Sequence, residues 1–497
     1  MKPDYDLIVI GGGAAGLTAA GLGVTVGAKT LLVEADRLGG DCTWTGCVPS
    51  KTLLKAAKVA QEIRTAGKFG LTDQPVDINF RNVLEHVRRV RDEIYEDADA
   101  PPNLERLGIE VVSARAAFVD QHTIRLSASP ASSAGDAPAD RTVSGRYFVI
   151  ATGAKPFVPP IPGLDSVRYL TNETLFELTE QPRSLAIVGG GPIGCEMAQS
   201  FARLGTEVAV IDQADRVLTN DDPDLARVVQ NALSRDGVEF VLGAEVKSAE
   251  NGTGVRLNLE RDGSSLSVSA DALLVATGRR ANYDSLNLEA AGVETGKQGI
   301  TVDDRCRTNI RHIFAVGDVT GRYQFTHMSE HMAKVAATNA LLKLPMKIDK
   351  RNVPWVTYTD PELAHVGRTV DELRKAGTRF RTYTFPFSKI DRAVTEGCGE
   401  GIIKVHARER DGKIYGVDIV GARAGDLIGE CALAMRNGVS LRKLSDTIHP
   451  YPTYALGVRR AADQWYVRKQ SPTLVKWIKR IFGYRGPVLE FGEDEVV

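Results

Sequence analysis

The strongest constraint on this chain is a glycine pattern that occurs twice. "YDLIVIGGGAAGLTAA" runs from an apolar strand stretch through a glycine cluster into an alanine-rich helix, and "TLLVEADR" carries a further strand to Glu34. "SLAIVGGGPIGCEMAQSFARLGTEVAVIDQADR" repeats the plan, with Gly189 in the place of Gly11 and Asp212 in the place of Glu34. Both acids stand 23 positions after the first glycine. A lone G-x-G-x-x-G string says little, but a strand before it, a helix after it and an acid about 20 residues on make each copy a dinucleotide-binding βαβ unit. Gly11 and Gly13 let backbone approach a pyrophosphate, Gly16 lets the helix pack close to the strand, and the helix N-terminus supplies N–H donors. Gly189, Gly191 and Gly194 take the same parts in the second copy.

Two such units do not use up 497 residues, a length that at about 150 residues per domain predicts roughly three domains. "FVIATG", with Thr152 and Gly153, and "LLVATG", ending at Gly278, are matched apolar strands that close the two units. From Val353 onward, stretches such as "GIIKVHA" and "KIYGVDIVGA" alternate as an antiparallel sheet does, and helices are expected around Asp426 to Asn437 and Tyr454 to Val467. A small-residue stretch from Ala128 to Ala139 reads as a solvated loop. The net charge of -1 argues against a nucleic-acid binder, which leaves small molecules or proteins as partners. The N-terminus enters its first strand at once, leaving no room for a signal peptide, and no uncharged apolar run approaches the roughly 18 residues that span a bilayer. A cytoplasmic body is expected.

Of six cysteines only Cys42 and Cys47 lie close together, in "GGDCTWTGCVPSK", so the chain is no disulfide-rich scaffold. Pro49 suits the first turn of a helix, which puts Cys47 near a helix N-terminus that favours its thiolate, and Lys51 adds positive charge one turn on. A disulfide across so short a loop gains little from loop entropy, which points to redox use rather than to a staple. In the second unit, the Asp212 carboxylate suits a free ribose 2′-OH and repels a 2′-phosphate. NADH is thus favoured over NADPH, with Arg216 as the nearby charge that softens the preference.

"GGGAAG", "GGDCTWTGCVPSK", "ATGAKP", "GGGPIGCE", "TGRRAN", "IFAVGDVTG" and "YTDPELAHVG" follow one another as in the class I flavoprotein (pyridine nucleotide-disulfide) reductases, and the resemblance covers about residues 5 to 465. It implies FAD on the first unit, with Glu34 on its adenosine ribose and Asp318 on its ribityl chain, and NAD(P)H on the second. The fold it implies is α/β: two Rossmann-like domains, for FAD and NAD(P)H, and a C-terminal α+β dimerisation domain. FAD-binding parts are expected at residues 1–153 and 279–348, NAD(P)H binding at 154–278, dimerisation at 349–470 and a tail at 471–497. The resemblance further implies a homodimer whose active sites combine both subunits. In it Cys47 is the flavin-facing thiolate, Cys42 the interchange thiol, Lys51 the lysine beside flavin N5 and Glu196 its ion-pair partner. The Cys42–Cys47 disulfide receives two electrons that come from NADH through FAD, and Cys42 then attacks an acceptor.

The chain also leaves the family pattern. Members that reduce organic disulfides carry His-Pro-Thr-x-x-Glu near the C-terminus, whereas "IHPYPTYALG" has Tyr451 at the base position, Leu456 at the glutamate position and His449 two residues early. A phenol titrating near 10 is poorly matched to moving a thiol proton at pH 7. Tyrosine there resembles mercuric reductase, yet the cysteine pair that ends that enzyme is missing, since the last cysteine is Cys431. Asp41 and Trp44 replace a usual threonine and asparagine; an acid near the FAD pyrophosphate is unfavourable unless it points away or is paired, and the indole walls the interchange thiol, stacks on an acceptor, or fills a helix contact. In the tail, Leu474, Trp477, Ile478, Ile481 and Phe482 share a helix face flanked by Lys476, Lys479 and Arg480. It is read as docking on its own protein or dimer mate, with a peripheral membrane contact through residues 471–486 as the alternative. The activity expected is electron transfer to a nonstandard acceptor, namely a metal ion, free or thiol-bound, a quinone, a disulfide or a redox protein. The alternatives are a dihydrolipoamide dehydrogenase or other small-disulfide reductase and, from a different class, a flavin-based redox sensor or membrane-recruited interaction protein.

Overall fold

Residues 2–129, 140–469 and 472–488 are described by a computed structural model. Most of the loop expected at Ala128 to Ala139 and the acidic end of the tail fall outside those residues. Strands Tyr5–Ile10 and Thr30–Glu34 are almost wholly buried apolar runs, as a sheet covered on both faces requires. They pair in parallel, Ile10 opposite Val33, and strand Arg141–Ile150 lies parallel on the other side of the first. Strand Ile313–Ala315 then adds to Arg141–Ile150, so this sheet draws on chain from both sides of the second nucleotide unit.

In that second unit, Ser184–Val188 lies between Glu207–Asp212 and Ala272–Val275, all parallel, with Val238–Leu242 outermost. Three antiparallel strands, Glu245–Asn251, Val255–Arg261 and Ser264–Ala270, form a separate small sheet. The chain enters and leaves the unit side by side, because Ala154–Pro156 pairs antiparallel with Arg279–Ala281.

The C-terminal sheet has the order Pro354–Thr357, Glu362–Gly367, Ile414–Gly421, Ile402–Ala407, Arg381–Pro386, antiparallel throughout. Helices Ala424–Arg436 and Ala455–Lys469 pack on it through Ile428, Cys431, Val458 and Trp465, close to where the sequence placed them. A charge network sits inside this sheet: Asp418 lies 2.6 Å from both His365 Nδ1 and His406 Nε2, all three buried. Burial works against a charged His365, but the Asp418 carboxylate outweighs it and raises the imidazole.

The tail forms helix Pro472–Phe482, with none of its residues buried and Trp477 61% and Phe482 64% exposed. Its own chain thus leaves most of this helix exposed. No helix among the described residues is long and apolar enough to cross a membrane.

Candidate active site

The two glycine turns are built alike. Gly11 has φ +107° and a Cβ there would stand 2.4 Å from Ala151 O, while a Cβ on Gly16 would stand 1.7 Å from Gly11 O. In the second unit the corresponding approaches are 2.4 Å from Gly189 to Ala276 O and 1.9 Å from Gly194 to Gly189 O. The first and third glycines are thus required by packing alone. Gly13 and Gly191 differ: each is the N-cap of its helix, in extended backbone, with no side-chain cap hydrogen bond. Such a start leaves first-turn N–H groups to an anion, which fits a dinucleotide pyrophosphate on each unit.

The acids that end the second strands also match. Glu34 accepts from Gly12 N at 2.5 Å and Asp36 N at 2.7 Å, and Asp212 accepts from Gly190 N at 2.6 Å and Ala214 N at 2.8 Å. Burial raises the Glu34 carboxyl against these donors. Arg216 donates to the carbonyls of Leu218 at 2.8 Å and Thr219 at 2.7 Å, so its guanidinium serves its own loop. At the crossing between units, Thr152 Oγ1 donates to Asn282 O at 2.5 Å, and Gly153 and Gly278 have φ +68° and +127°. Asp318 stands on the turn Gly317–Thr320, where burial pushes its carboxyl up to about 6 and Arg279 opposes the shift.

Cys47 is the first residue of helix Cys47–Arg64, and Cys42 lies in the short helix Gly40–Trp44; both are thiols in the structure. The hydrogen bond from Cys42 lowers the Cys47 thiol to about 6 against the effect of burial, with help from Thr326 and Lys51. Giving that hydrogen bond, together with burial, pushes Cys42 upward. Thr326, which opens helix Thr326–Ala337, has its hydroxyl 3.5 Å from Cys42 Sγ and 3.6 Å from Cys47 Sγ. Lys51 Nζ is 2.8 Å from Glu196 Oε2 and 4.5 Å from the centre of the Tyr358 ring. Glu196 is buried and its second oxygen accepts from Tyr358 N at 2.9 Å. The residues placed together by the sequence (Cys42, Cys47, Lys51 and Glu196) are brought together by the fold.

The departures resolve differently. Asp41 is paired, with Oδ2 2.9 Å from Arg279 Nη1. Trp44 donates to Leu38 O at 2.6 Å and is held between the guanidinium groups of Arg37 and Arg91, at 4.3 and 5.0 Å, with Tyr95 at 5.0 Å. It fills a helix contact rather than walling the interchange thiol. Tyr451 is 68% exposed, and a hydrogen bond to Asp391 raises its phenol. His449 has both ring nitrogens on acceptors, Glu430 Oε1 at 2.8 Å and Thr447 O at 3.0 Å, and Leu456 is buried. Among the described residues, His449, Tyr451 and Leu456 make no contact with either thiol of their own chain.

Three neighbours were not read from the sequence: Thr326, Tyr358 and Arg279. Arg279 carried a signal, a basic residue directly after Gly278 in a chain with an unpaired acid at Asp41. Tyr358 opened the motif "YTDPELAHVG" without any sign of its place beside Lys51, and Thr326 carried no signal, because only tertiary packing brings it to the thiols.

A family model described as "Pyridine nucleotide-disulphide oxidoreductase" matches residues 5–333, and one for the dimerisation domain of the same proteins matches residues 353–462. The mercuric reductase of Staphylococcus aureus is 34% identical over 465 residues, covering 92% of this chain and 82% of that protein. The dihydrolipoyl dehydrogenase of Bacillus subtilis is 32% identical over 467 residues, covering 93% of this chain and 98% of its own length. Among solved structures, the HOCl-induced flavoprotein disulfide reductase RclA of Escherichia coli is similar at TM-score 0.81 and 27% identity, over 94% of this chain and all of that one. LpdA of Mycobacterium tuberculosis is similar at TM-score 0.83 and 28% identity, over 92% of this chain and 99% of that one.

Proposed function

The chain belongs to the pyridine nucleotide-disulphide oxidoreductases, FAD-dependent enzymes with NAD(P)H as electron donor, and from that membership we propose an NADH-dependent enzyme whose Cys42–Cys47 pair serves a nonstandard acceptor, a thiophilic metal ion before an organic disulfide. FAD, when bound, accepts hydride and releases two electrons to the thiol pair. Gly13 and Gly191 offer the helix starts for the two pyrophosphates, Glu34 and Asp212 the ribose carboxylates, and Asp318 a polar contact for the ribityl chain. The oxidised pair takes up two electrons and one proton, leaving Cys47 as thiolate at its helix start and Cys42 as thiol. Lys51, held by Glu196, keeps positive charge beside that thiolate. Passing both electrons to the acceptor re-forms the disulfide and releases the proton.

The observation that carries the choice of acceptor is Tyr451 with Leu456 in the places of a histidine and its glutamate. The phenol, raised further by Asp391, is a weaker acid than an ordinary thiol and so is a poor proton donor to a leaving thiolate near neutral pH. Neither one Hg(II) reduced by two electrons nor two Cu(II) reduced by one electron each needs such a proton. Similarity to mercuric reductases, and the Cu(II) complex solved for RclA, support a metal acceptor. An NADH-driven panel of Hg(II), Cu(II), a quinone, lipoamide and glutathione disulfide tests it. Turnover is expected with a metal ion and lost in Cys47→Ser. Lipoamide turnover above that with either metal would instead establish the second reading, dihydrolipoamide dehydrogenase, which the full-length match to such an enzyme favours. The exposed helix Pro472–Phe482 is read as a contact element for the partner subunit, with an anionic membrane surface as its rival.

A further inference from the structure

Asp41 stands one residue before Cys42, where the resembling reductases carry threonine. Its carboxylate is the meeting point of three segments. Oδ1 accepts from Thr45 Oγ1 of its own turn and from Asn172 Nδ2 at 3.1 Å, and Oδ2 lies 2.9 Å from Arg279 Nη1. Asn172 also reaches Thr45 O, at 3.4 Å. Asn172 belongs to the passage into the second nucleotide unit and Arg279 to the passage out of it, beside Gly278. The thiol turn is therefore fastened to both passages at once.

Arg279 is itself enclosed, with a side chain only 12% exposed. Nη2 donates to Ala154 O at 2.9 Å on the paired passage strand. Nε is buried without a hydrogen bond and stands 3.6 Å from Asp318 Oδ2. One guanidinium thus lies between a carboxylate on the thiol turn and a carboxylate on the flavin side.

We propose that Asp41 is a positioning residue that straps the Cys42–Cys47 turn to both passages between the nucleotide units and holds the Arg279 charge between that turn and Asp318. The strap rests on the reading of Cys42 and Cys47 as the redox pair. Its consequence is mechanical and electrostatic. The second unit cannot shift on the first without loading the thiol turn, and the sulfurs face a balanced pair in place of a bare charge. The other charged groups around the sulfurs and the strap are Lys51 with Glu196, Glu173, Lys155 and Asp318, with Tyr358 beside Lys51. All of them stay in place in the variants below.

Holoenzyme reduced anaerobically with two electrons should show thiolate-to-flavin charge-transfer absorbance, whose pH midpoint reports Cys47. Asp41→Asn removes the carboxylate that offsets Arg279 on the thiol side, leaving Asp318, and should lower the midpoint, while Arg279→Met leaves both Asp41 and Asp318 without their cation and should raise it. Each shift is expected at about half a pH unit, and the double variant should return to within about 0.2 of the parent. Arg279→Lys keeps the charge without the fork and should leave the midpoint near the parent value even if FAD is held less tightly. Shifts in the same direction, or no shift in either single variant, overturn the strap. Amide exchange of residues 40–47 gives a second reading, several-fold faster in Asp41→Asn and recovered in Asp41→Glu; an unchanged rate overturns the proposal too. Absence of the charge-transfer band from the parent overturns the redox-pair reading, and exchange then decides the strap by itself.

Discussion

At Lys51 a single side chain serves both stability and chemistry. Glu196 is 6% exposed and Lys51 36%, so removing the lysine strands a buried carboxylate whereas removing the glutamate leaves a half-exposed ammonium that water can reach. Lys51→Met should therefore destabilise by about 1–3 kcal/mol, less than a fully enclosed pair would lose. It should also raise the Cys47 titration, since Lys51 is one of the groups that hold the thiol down at about 6. The sign follows from linkage: a thiol lowered by the fold stabilises the protein fully above its unfolded value near 8.5, and that contribution is lost as pH falls through about 6. The charge-transfer absorbance of the reduced parent should fade with a midpoint near 6, and Lys51→Met should move that midpoint up by about one unit. A midpoint that stays put would remove Lys51 from the electrostatics of the site. Lys51 was legible from its string as a charge one turn past a helix start, whereas its pairing with Glu196 was legible only through the family resemblance. Asp41 was legible only as a problem: its charge asked for a partner, and nothing along the chain says that Arg279 lies across the passage strands.

Elements were legible where their periodicity is set by burial on both sides or along one face. The strands Tyr5–Ile10 and Ser184–Val188 are solid apolar runs, and Gly16 and Gly194 announce a helix lying against the preceding turn. The C-terminal strands showed their alternation, but not that His365 and His406 point inward onto Asp418, because a histidine reads as polar whether or not an acid waits for it. Helix Pro472–Phe482 was legible as an amphipathic element and not as to its contact, since the same stripe suits a protein or a lipid surface. Residues 472–488 hold Lys476, Lys479, Arg480 and Arg485 and no acid, while Trp477, Ile481 and Phe482 are each more than half exposed. As the single chain does not cover that face, the partner subunit is the expected cover. Truncation after Lys469 should then lower the melting temperature of the dimer by about 1 °C, the effect of roughly 1 kcal/mol in a chain of this size. Neither form should float with anionic vesicles. Flotation of the full chain that is lost on truncation would assign the helix to a membrane surface instead.

On the scale of the whole molecule, the site divides between what one chain completes and what it does not. Lys51, Glu196 and both thiols meet within one subunit, which also carries both nucleotide turns, and in the proposed function these are the groups that bring electrons from nicotinamide to the disulfide. The loop around Tyr451 is held the other way. His449 anchors it to Glu430, while Ile448 is 94% and Tyr451 68% exposed, and Leu433 nearby on helix Ala424–Arg436 is 66% exposed. Large apolar side chains held outward beside an anchored histidine mark a surface made for contact. The protein carries the dimerisation domain of its family, so a second copy is the expected occupant of that surface. The sequence could number this loop but not say which thiols it serves, because its periodicity describes packing inside a chain and is silent on the symmetry between chains. The division has a kinetic consequence. Ile448→Glu should yield monomers by light scattering that still reduce their flavin with NADH within about two-fold of the parent rate. Acceptor turnover in those monomers should fall by at least about ten-fold, since the loss of one site-completing contact weakens the transition state by roughly 1.4 kcal/mol or more. A monomer that turns over acceptor at the parent rate would place the whole reaction inside one chain and leave Tyr451 without a part in it. A loss of both rates together would mean that dimerisation also shapes the nicotinamide half of the site.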